Sequence, residues 1–399
     1  MSVENNIPKG WIETTLGEVC EIKYGKDHKY LYDGNIPCYG SGGLMRTVDA
    51  FLYDKPSVLI PRKGTLSNLF FIKEPFWTVD TLFYTKIDEE RIEPLFLYYK
   101  LKTYNLENLN VGSAVPSLTT AVLNQFPFVT PQNIEEQKAI AAILIAFDNK
   151  IELLQAQNKA LETTAQTIFK EWFGKYQISD ELPDEWRVGK LSDFNATIVD
   201  FVANGSFASL KENVTLSETI EFALFIRNTD LKSNFKEKRY VDKRSYEFLS
   251  KSKLFGGEII ISNVGDVGSV HFCPSFEMPM TLGNNVIMLK SDYQNYFYTM
   301  FKSRIGQHLI NSITGGSAQP KFNKTDFRNM GMVIPKEELL KKFEDIVSKL
   351  YFKIQNNKIQ IQTLKQTRDT LLPKLMSGQL RVNLSACNAQ ADDFKENIV

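Results

Sequence analysis

The feature that most constrains this chain is that its plan is written twice. "GSAVPSLTTAVLNQFPFVTP" (112–131) returns as "GSAQPKFNKTDFRNMGMVIP" (316–335), so Gly112, Ser113, Pro116 and Pro131 each have a counterpart 204 residues later. "IPKGWIETTLGEV" (7–19) likewise returns as "LPDEWRVGKLSDF" (182–194), with Pro8, Trp11 and Leu16 repeated at an offset of 175. The change of offset puts 29 extra residues inside the second copy. A repeat on this scale fixes the architecture before any single element is assigned, because each copy must build the same supersecondary unit.

Each copy runs into a long heptad pattern. Ten positions from Ile140 to Trp172 alternate by four and three, and nine are apolar, Asn158 being the exception. Ten equivalent positions from Phe343 to Leu375 hold eight apolar residues, the exceptions being Asn357 and Arg368. A sustained four-three alternation is a coiled-coil seam, not a merely amphipathic surface. No Pro or Gly interrupts either stretch before Gly174 and Pro373, where helix ends are expected. Two matching seams in one chain pack most simply on each other, antiparallel, with a globule at each end. That alignment sets Asn158, sixth in its seam, level with Asn357, fifth in its own. A buried Asn costs stability but fixes register, and here each amide can satisfy the other. The first helix, about residues 135 to 173, is roughly 58 Å long at about 1.5 Å per residue. A spacer of that size suits two globules lying in major grooves about one duplex turn, roughly 35 Å, apart.

The fold class expected is therefore α+β: two globular α/β domains separated by two long helices that form an antiparallel coiled coil, a pseudo-twofold duplication. The divisions fall at 1–133, 134–178, 179–335, 336–383 and a polar tail, 384–399. With 399 residues, 43% hydrophobic and 24% charged, the chain has the composition of a soluble multidomain protein. It opens without a signal peptide, and "AIAAILIAF" (139–147) is too short to span a bilayer, so the cytoplasm is the expected location. Cys20, Cys38, Cys273 and Cys387 are scattered among three histidines, without metal-ligand spacing, and read as reduced thiols. Lys plus Arg number 47 against 47 Asp plus Glu, which disfavours a non-specific nucleic-acid coat but allows local DNA contact.

Catalytic signatures are missing. There is no G-x-x-x-x-G-K-[ST] phosphate loop, no methyl-donor glycine loop (the "LFGGE" spacing at 254–258 does not fit) and no Asp-Pro-Pro-Tyr-type run. Glu136-Gln137-Lys138 has the E-x-K shape of a nuclease site, but at the start of a long helix it reads as a solvated face.

The tandem globules, the G-S-x-x-P turns, "PQNIEEQKAIAAIL…FDNKIELLQAQNKALETTAQTIFKEWF" (131–173) and "IQTLKQTRDTLLPKLMSGQL" (361–380) together resemble the specificity subunit of type I restriction-modification enzymes. The resemblance runs to about residue 383, and is tight in the helices and loose in the globules. It implies two target-recognition domains, each reading one half of a split double-stranded DNA site. It further implies that the helices act as a ruler and as docking surface for two methyltransferase subunits, with restriction subunits joining the complex. By this resemblance the chain is non-catalytic: S-adenosylmethionine, ATP and Mg belong to the partner subunits, no metal is held here, and no membrane is involved. The globules differ most between their landmarks, which suits a bipartite, non-palindromic target.

Candidate DNA contacts follow from residue chemistry. In the first globule Arg62 and Lys63 stand at a Gly turn between two apolar strands, with Thr65 and Asn68 after them and the loop of Tyr39 and Ser41 nearby. Arg suits guanine edges and Lys suits phosphate. In the second, "GGEIIISNVGDVGSVHFC" (256–273) repeats the strand-turn-strand with Asn263 and Asp266 in the turn, which would favour adenine and cytosine. Arg227 and Asn228 follow the apolar run "FALFI". Residues 236–253 hold seven basic against three acidic residues, with Lys238, Arg239, Lys243 and Arg244 the phosphate candidates. Lys321 is a further one. Ser113 and Ser317 suit a structural hinge better than a contact. Plain hairpin punctuation or a charged solvated face is the alternative for each loop. The alternatives for the whole chain are a coiled-coil scaffold joining two protein-binding domains without DNA, and a standalone methyltransferase.

Overall fold

The structure, a computed structural model, describes residues 7–110, 116–316 and 318–383. Gly112, Ser113, Ser317, Cys387 and the tail 384–399 lie outside the described residues. The described chain forms two compact units: residues up to Gln155 together with those from Ile359 onward, and Ala156–Lys358. Each unit takes one globule and half of each long helix, Ile134–Phe173 and Glu337–Met376.

The first unit contributes β1 (Trp11–Thr15), β2 (Cys20–Tyr24), β3 (Ile36–Gly40), β4 (Gly43–Val48), β5 (Ser57–Pro61), β6 (Phe70–Ile72), β7 (Trp77–Thr78), β8 (Leu82–Ile87) and β9 (Pro127–Pro131). An antiparallel sheet runs β2-β8-β5-β6, and a smaller one runs β4-β3-β7 with β3 and β7 parallel. All five residues of β5 are buried, as a continuous apolar run between turn residues demands. β1 pairs antiparallel with β9, which returns the end of the globule to its beginning just before the long helix.

The second unit contributes β10 (Arg187–Lys190), β11 (Thr197–Asp200), β12 (Leu216–Ser217), β13 (Ala223–Ile226), β14 (Tyr240–Val241), β15 (Lys253–Leu254), β16 (Ile259–Ser262), β17 (Val270–Phe272), β18 (Met280–Leu282), β19 (Val286–Lys290) and β20 (Gly331–Ile334). The order β11-β19-β16-β17 repeats β2-β8-β5-β6, β13 and β18 are parallel as β3 and β7 are, and β10 with β20 repeats β1 with β9. Helices Phe207–Asn213, Asn228–Lys232 and Lys243–Phe248 lie where the first copy has no helix between β2 and β5, so extra residues of the second copy are spent there.

Within the second unit the two helix halves run antiparallel. The Asn357 amide, 1% exposed, donates to Asn158 Oδ1 and Gln157 Oε1, each at 2.8 Å. Further along, the Phe169 and Trp172 rings each lie 6.2 Å from Phe343. Rising numbers on one helix meet falling numbers on the other, and the expected Asn pairing is formed. In the first unit the other polar seam residue, Arg368, pairs with Asp148, whose second oxygen accepts from the Tyr99 hydroxyl at 2.6 Å.

Two local expectations are corrected. Pro373 does not end its helix, which continues to Met376. Pro373 deprives the Asp369 carbonyl of its helical donor. The last turn is held from outside instead: Leu375 and Met376 are buried in the first core, and Lys100 Nζ donates to the Met376 carbonyl at 2.6 Å. The second correction concerns Glu136 and Gln137, which are buried and not a solvated face. Glu136 accepts from Trp11 Nε1 at 3.3 Å and from Arg381 at 2.9 Å, while Gln137 donates to the Pro131 carbonyl and accepts from the Glu93 amide, both at 2.8 Å.

The Asn pair predicts opposite effects for two similar substitutions. Asn158→Leu leaves the buried Asn357 amide short of an acceptor and should lower stability by about 1 kcal/mol. Asn357→Leu strands only half-exposed or exposed groups and should be neutral or stabilising, as should the double variant; urea midpoints distinguish these outcomes. Lys100 predicts a pH effect. Burial pushes its pKa down to about 8, from an ordinary value of about 10.4. The unfolded chain therefore binds the extra proton between those values, and stability rises with pH across that window. The urea midpoint of Lys100→Met should lack that share of the rise.

Candidate nucleic-acid interface

The buried strands β5 and β16 each deliver the chain into a loop that is held in the same way. In the first unit Gly64 N donates to the Pro116 carbonyl at 3.2 Å and Leu118 N donates to the Arg62 carbonyl at 2.9 Å, so that Lys63 faces Ser117 in an antiparallel bridge. In the second, Gly265 N donates to the Pro320 carbonyl at 2.9 Å and Phe322 N to the Asn263 carbonyl at 3.1 Å, with Val264 facing Lys321. Gly64 and Gly265 have φ of +90° and +76°, a left-handed turn that favours glycine. The proline of each repeated motif thus latches the tip of a hairpin. Four loop positions become equivalent across the copies: Arg62 with Asn263, Lys63 with Val264, Thr65 with Asp266, and Ser117 with Lys321.

The first latched loop gathers most of the residues expected from the sequence. Asn68 Nδ2 donates to the Ser41 carbonyl at 2.8 Å, tying the β3–β4 turn to the β5–β6 loop. Lys63 and Thr65 are exposed. Arg62 reaches back to Asp80, with Nε 2.6 Å from its carbonyl and a terminal nitrogen 3.3 Å from its carboxylate, and it lies 5.8 Å from the Tyr24 ring. Asp80 is largely exposed, so this is a surface pair worth under about 1 kcal/mol, and Arg62 is cheap to redirect. Tyr39 packs its ring 6.2 Å from Phe70, and burial raises its phenol pKa.

The second loop recruits different chemistry. Asp266 accepts from Lys232 Nζ at 3.0 Å and from Asn228 Nδ2 at 3.2 Å, bringing together two positions that lie 38 residues apart in the sequence. The Lys232 hydrogen bond, with that of Asn228 second, holds the Asp266 carboxyl below its usual pKa. Asn263 is already engaged: its amide donates to the Phe322 carbonyl at 3.0 Å and braces the latch. Arg227 is engaged more firmly. Asp230, 2% exposed, accepts from the Arg227 backbone at 2.8 Å, from its Nε at 3.0 Å and from a terminal nitrogen at 2.6 Å, which caps helix Asn228–Lys232.

The basic run is dispersed. Lys238 lies 5.8 Å from the Phe276 ring and Arg239 pairs with Glu218 at 2.7 Å. Lys243 and Arg244 open helix Lys243–Phe248 as exposed side chains. Sequence reasoning missed Lys232, Asp80 and the latch itself. Only the latch had a signal, since Pro116 and Pro320 belong to the repeated motif.

A family model for the type I restriction modification DNA specificity domain matches residues 8–163 and again 183–366. The chain belongs to this family. It is a specificity subunit with two DNA specificity domains, and the duplication read from sequence is a duplication of that domain. The type I restriction enzyme MjaIX specificity subunit of Methanocaldococcus jannaschii is 27% identical, over 94% of this chain and 95% of that one. The HindI specificity subunit of Haemophilus influenzae is 20% identical, over 79% and 81%. The crystal structure of the type I system S subunit from M. genitalium shares the fold, with a TM-score of 0.64 at 18% identity over 94% and 98% of the two chains. Among the described residues no helix is long and apolar enough to cross a membrane.

The two acidic groups of the second domain separate folding from recognition. Asp230→Ala leaves the Arg227 guanidinium unpaired and a helix uncapped, and should cost about 2–4 kcal/mol. Asp266→Ala breaks a half-exposed pair and should cost under about 1 kcal/mol. Urea unfolding of the two variants checks the order.

Proposed function

We propose that each globule of this specificity subunit reads one half of an asymmetric, bipartite site in duplex DNA through its latched loop. The observation that carries this reading is that one loop is built twice by equivalent hydrogen bonds, yet presents Arg62, Lys63 and Thr65 in one copy and Asn263, Val264 and Asp266 in the other. Conserved geometry with altered side chains is what two readers of different sequences require. Arg62 can pair with a guanine edge once it leaves Asp80; Asp266 and Asn228 offer an acceptor and an amide for cytosine and adenine. Arg227 and Asn263 act mainly as supports, because the Arg227 guanidinium is committed to Asp230 and the Asn263 amide nitrogen to the Phe322 carbonyl.

The long helices set the distance between half-sites and dock two methyltransferase subunits, with restriction subunits completing the complex in the cytoplasm. Adenine methylation and ATP-driven cleavage, with S-adenosylmethionine, ATP and Mg, reside in those partners. The scaffold alternative finds less support, since both family matches are to DNA specificity domains.

Methylation sequencing of a naive host expressing this chain with its methyltransferase partner should return a split, non-palindromic motif. A perfect palindrome overturns the reading. Arg62→Ala should relax one base position in one half of that motif and leave the other half unchanged, whereas an unaltered motif and affinity would remove Arg62 from the interface.

A further inference from the structure

The latch bridges carry a regularity that runs across the two copies. In the first, Lys63 stands on the hairpin loop and faces Ser117 on the latch segment. In the second the arrangement is inverted: Val264 stands on the loop and Lys321 on the latch. Each bridged pair holds a single lysine, on opposite strands in the two copies. The flanking bonds, Gly64 N to Pro116 O with Leu118 N to Arg62 O, and Gly265 N to Pro320 O with Phe322 N to Asn263 O, define the non-hydrogen-bonded type of antiparallel pair, in which the facing side chains stand closer. Side chains so opposed leave the same face with Cβ atoms about 4.5–5.5 Å apart. A lysine stem spans more than that, so an ammonium group from either strand reaches the same place. Both lysines are exposed, and neither ammonium makes an ion pair among the described residues. By contrast, Lys232 is tied to Asp266 and Arg239 to Glu218.

We propose that Lys63 and Lys321 are one functional position, a single backbone-phosphate anchor per globule that has changed strands between the copies. This rests on the reading that duplex DNA lies against the latched loops, and it separates the anchor from base recognition. The variable residues at the Arg62 and Thr65 positions can diverge because the anchor keeps each loop at a fixed depth on the backbone. A compact ammonium suits this role, since it contacts phosphate as a point charge without demanding one base.

The test uses the full chain in complex with its methyltransferase partner, with affinity measured against salt for target and scrambled duplexes. Lys63→Val should reduce the slope of log affinity against log salt by about 0.9 and weaken binding about five-fold at 0.15 M salt, equally for both duplexes. Lys63→Val with Ser117→Lys, which copies the arrangement of the second globule, should recover slope and affinity. Lys321→Ser should behave like Lys63→Val, and Lys321→Ser with Val264→Lys should recover. Copurification of the methyltransferase and an unchanged urea midpoint verify that each variant is folded. Loss of discrimination between target and scrambled duplex in Lys63→Val, or failure of both relocated lysines to recover binding in folded complexes, overturns the proposal. A wild-type complex that binds no duplex overturns the underlying reading instead, whereas a binding complex whose slope ignores all four variants overturns only the anchor.

Discussion

The largest core of each unit is closed by side chains from both long helices, and the rest of the structure depends on that. In the first unit Ile140 and Leu144 from one helix and Leu375 and Met376 from the other complete a cluster founded on Val58, Ile60, Phe83 and Phe96. In the second, Phe169 and Phe173 meet Phe343 and Val347 around Ile259, Ile261 and Phe297. Neither globule is finished by its own segment of chain. The apolar stripe of each helix serves a partner helix and a globule at once, so it is wider than a strict coiled-coil seam. Polar groups are spent where register matters. Asn357 binds Asn158, Arg368 binds Asp148, and Lys100 donates to the carbonyl of Met376, 276 residues away.

That arrangement gives the latched loops a buried floor. β5 and β16 are buried along their whole length, and the loops they feed are fastened by backbone bonds whose strength does not depend on side-chain identity. A loop whose shape is set largely by main-chain bonds and a shared left-handed glycine can exchange its exposed residues without losing form. The two copies show this directly, presenting arginine, lysine and threonine in one and asparagine, valine and aspartate in the other. The second copy adds helices Asn228–Lys232 and Lys243–Phe248, and through Asn228 and Lys232 the first of these enters the neighbourhood of Asp266.

Much of the fold was legible before any coordinates. The heptads placed both helices to within a few residues, and the two seam asparagines announced their own pairing. Pro373 and Glu136 were misjudged for related reasons. A proline normally stops a helix and a charged residue normally faces water, but here distant partners compensate: the burial of Leu375 and Met376 in one case, Trp11 and Arg381 in the other. The candidate loops were found because strand-turn-strand patterning is local. Their ranking was not legible, because Arg62 and Arg227 look alike in sequence and differ in the burial of the acid each one meets.

What the sequence determined by itself was periodicity: a duplicated plan, two heptad helices, an antiparallel register and two equivalent turns. These are properties of spacing, and spacing is written along the chain. Only the tertiary structure decided which charges are committed and which are free. It turned the repeated proline motif from a hinge into a latch and set Lys63 and Lys321 in equivalent bridged pairs, on the loop in one copy and on the latch in the other. The physical reason is that a side chain's availability depends on the donors and acceptors that folding brings beside it, and those come from strands tens to hundreds of residues away.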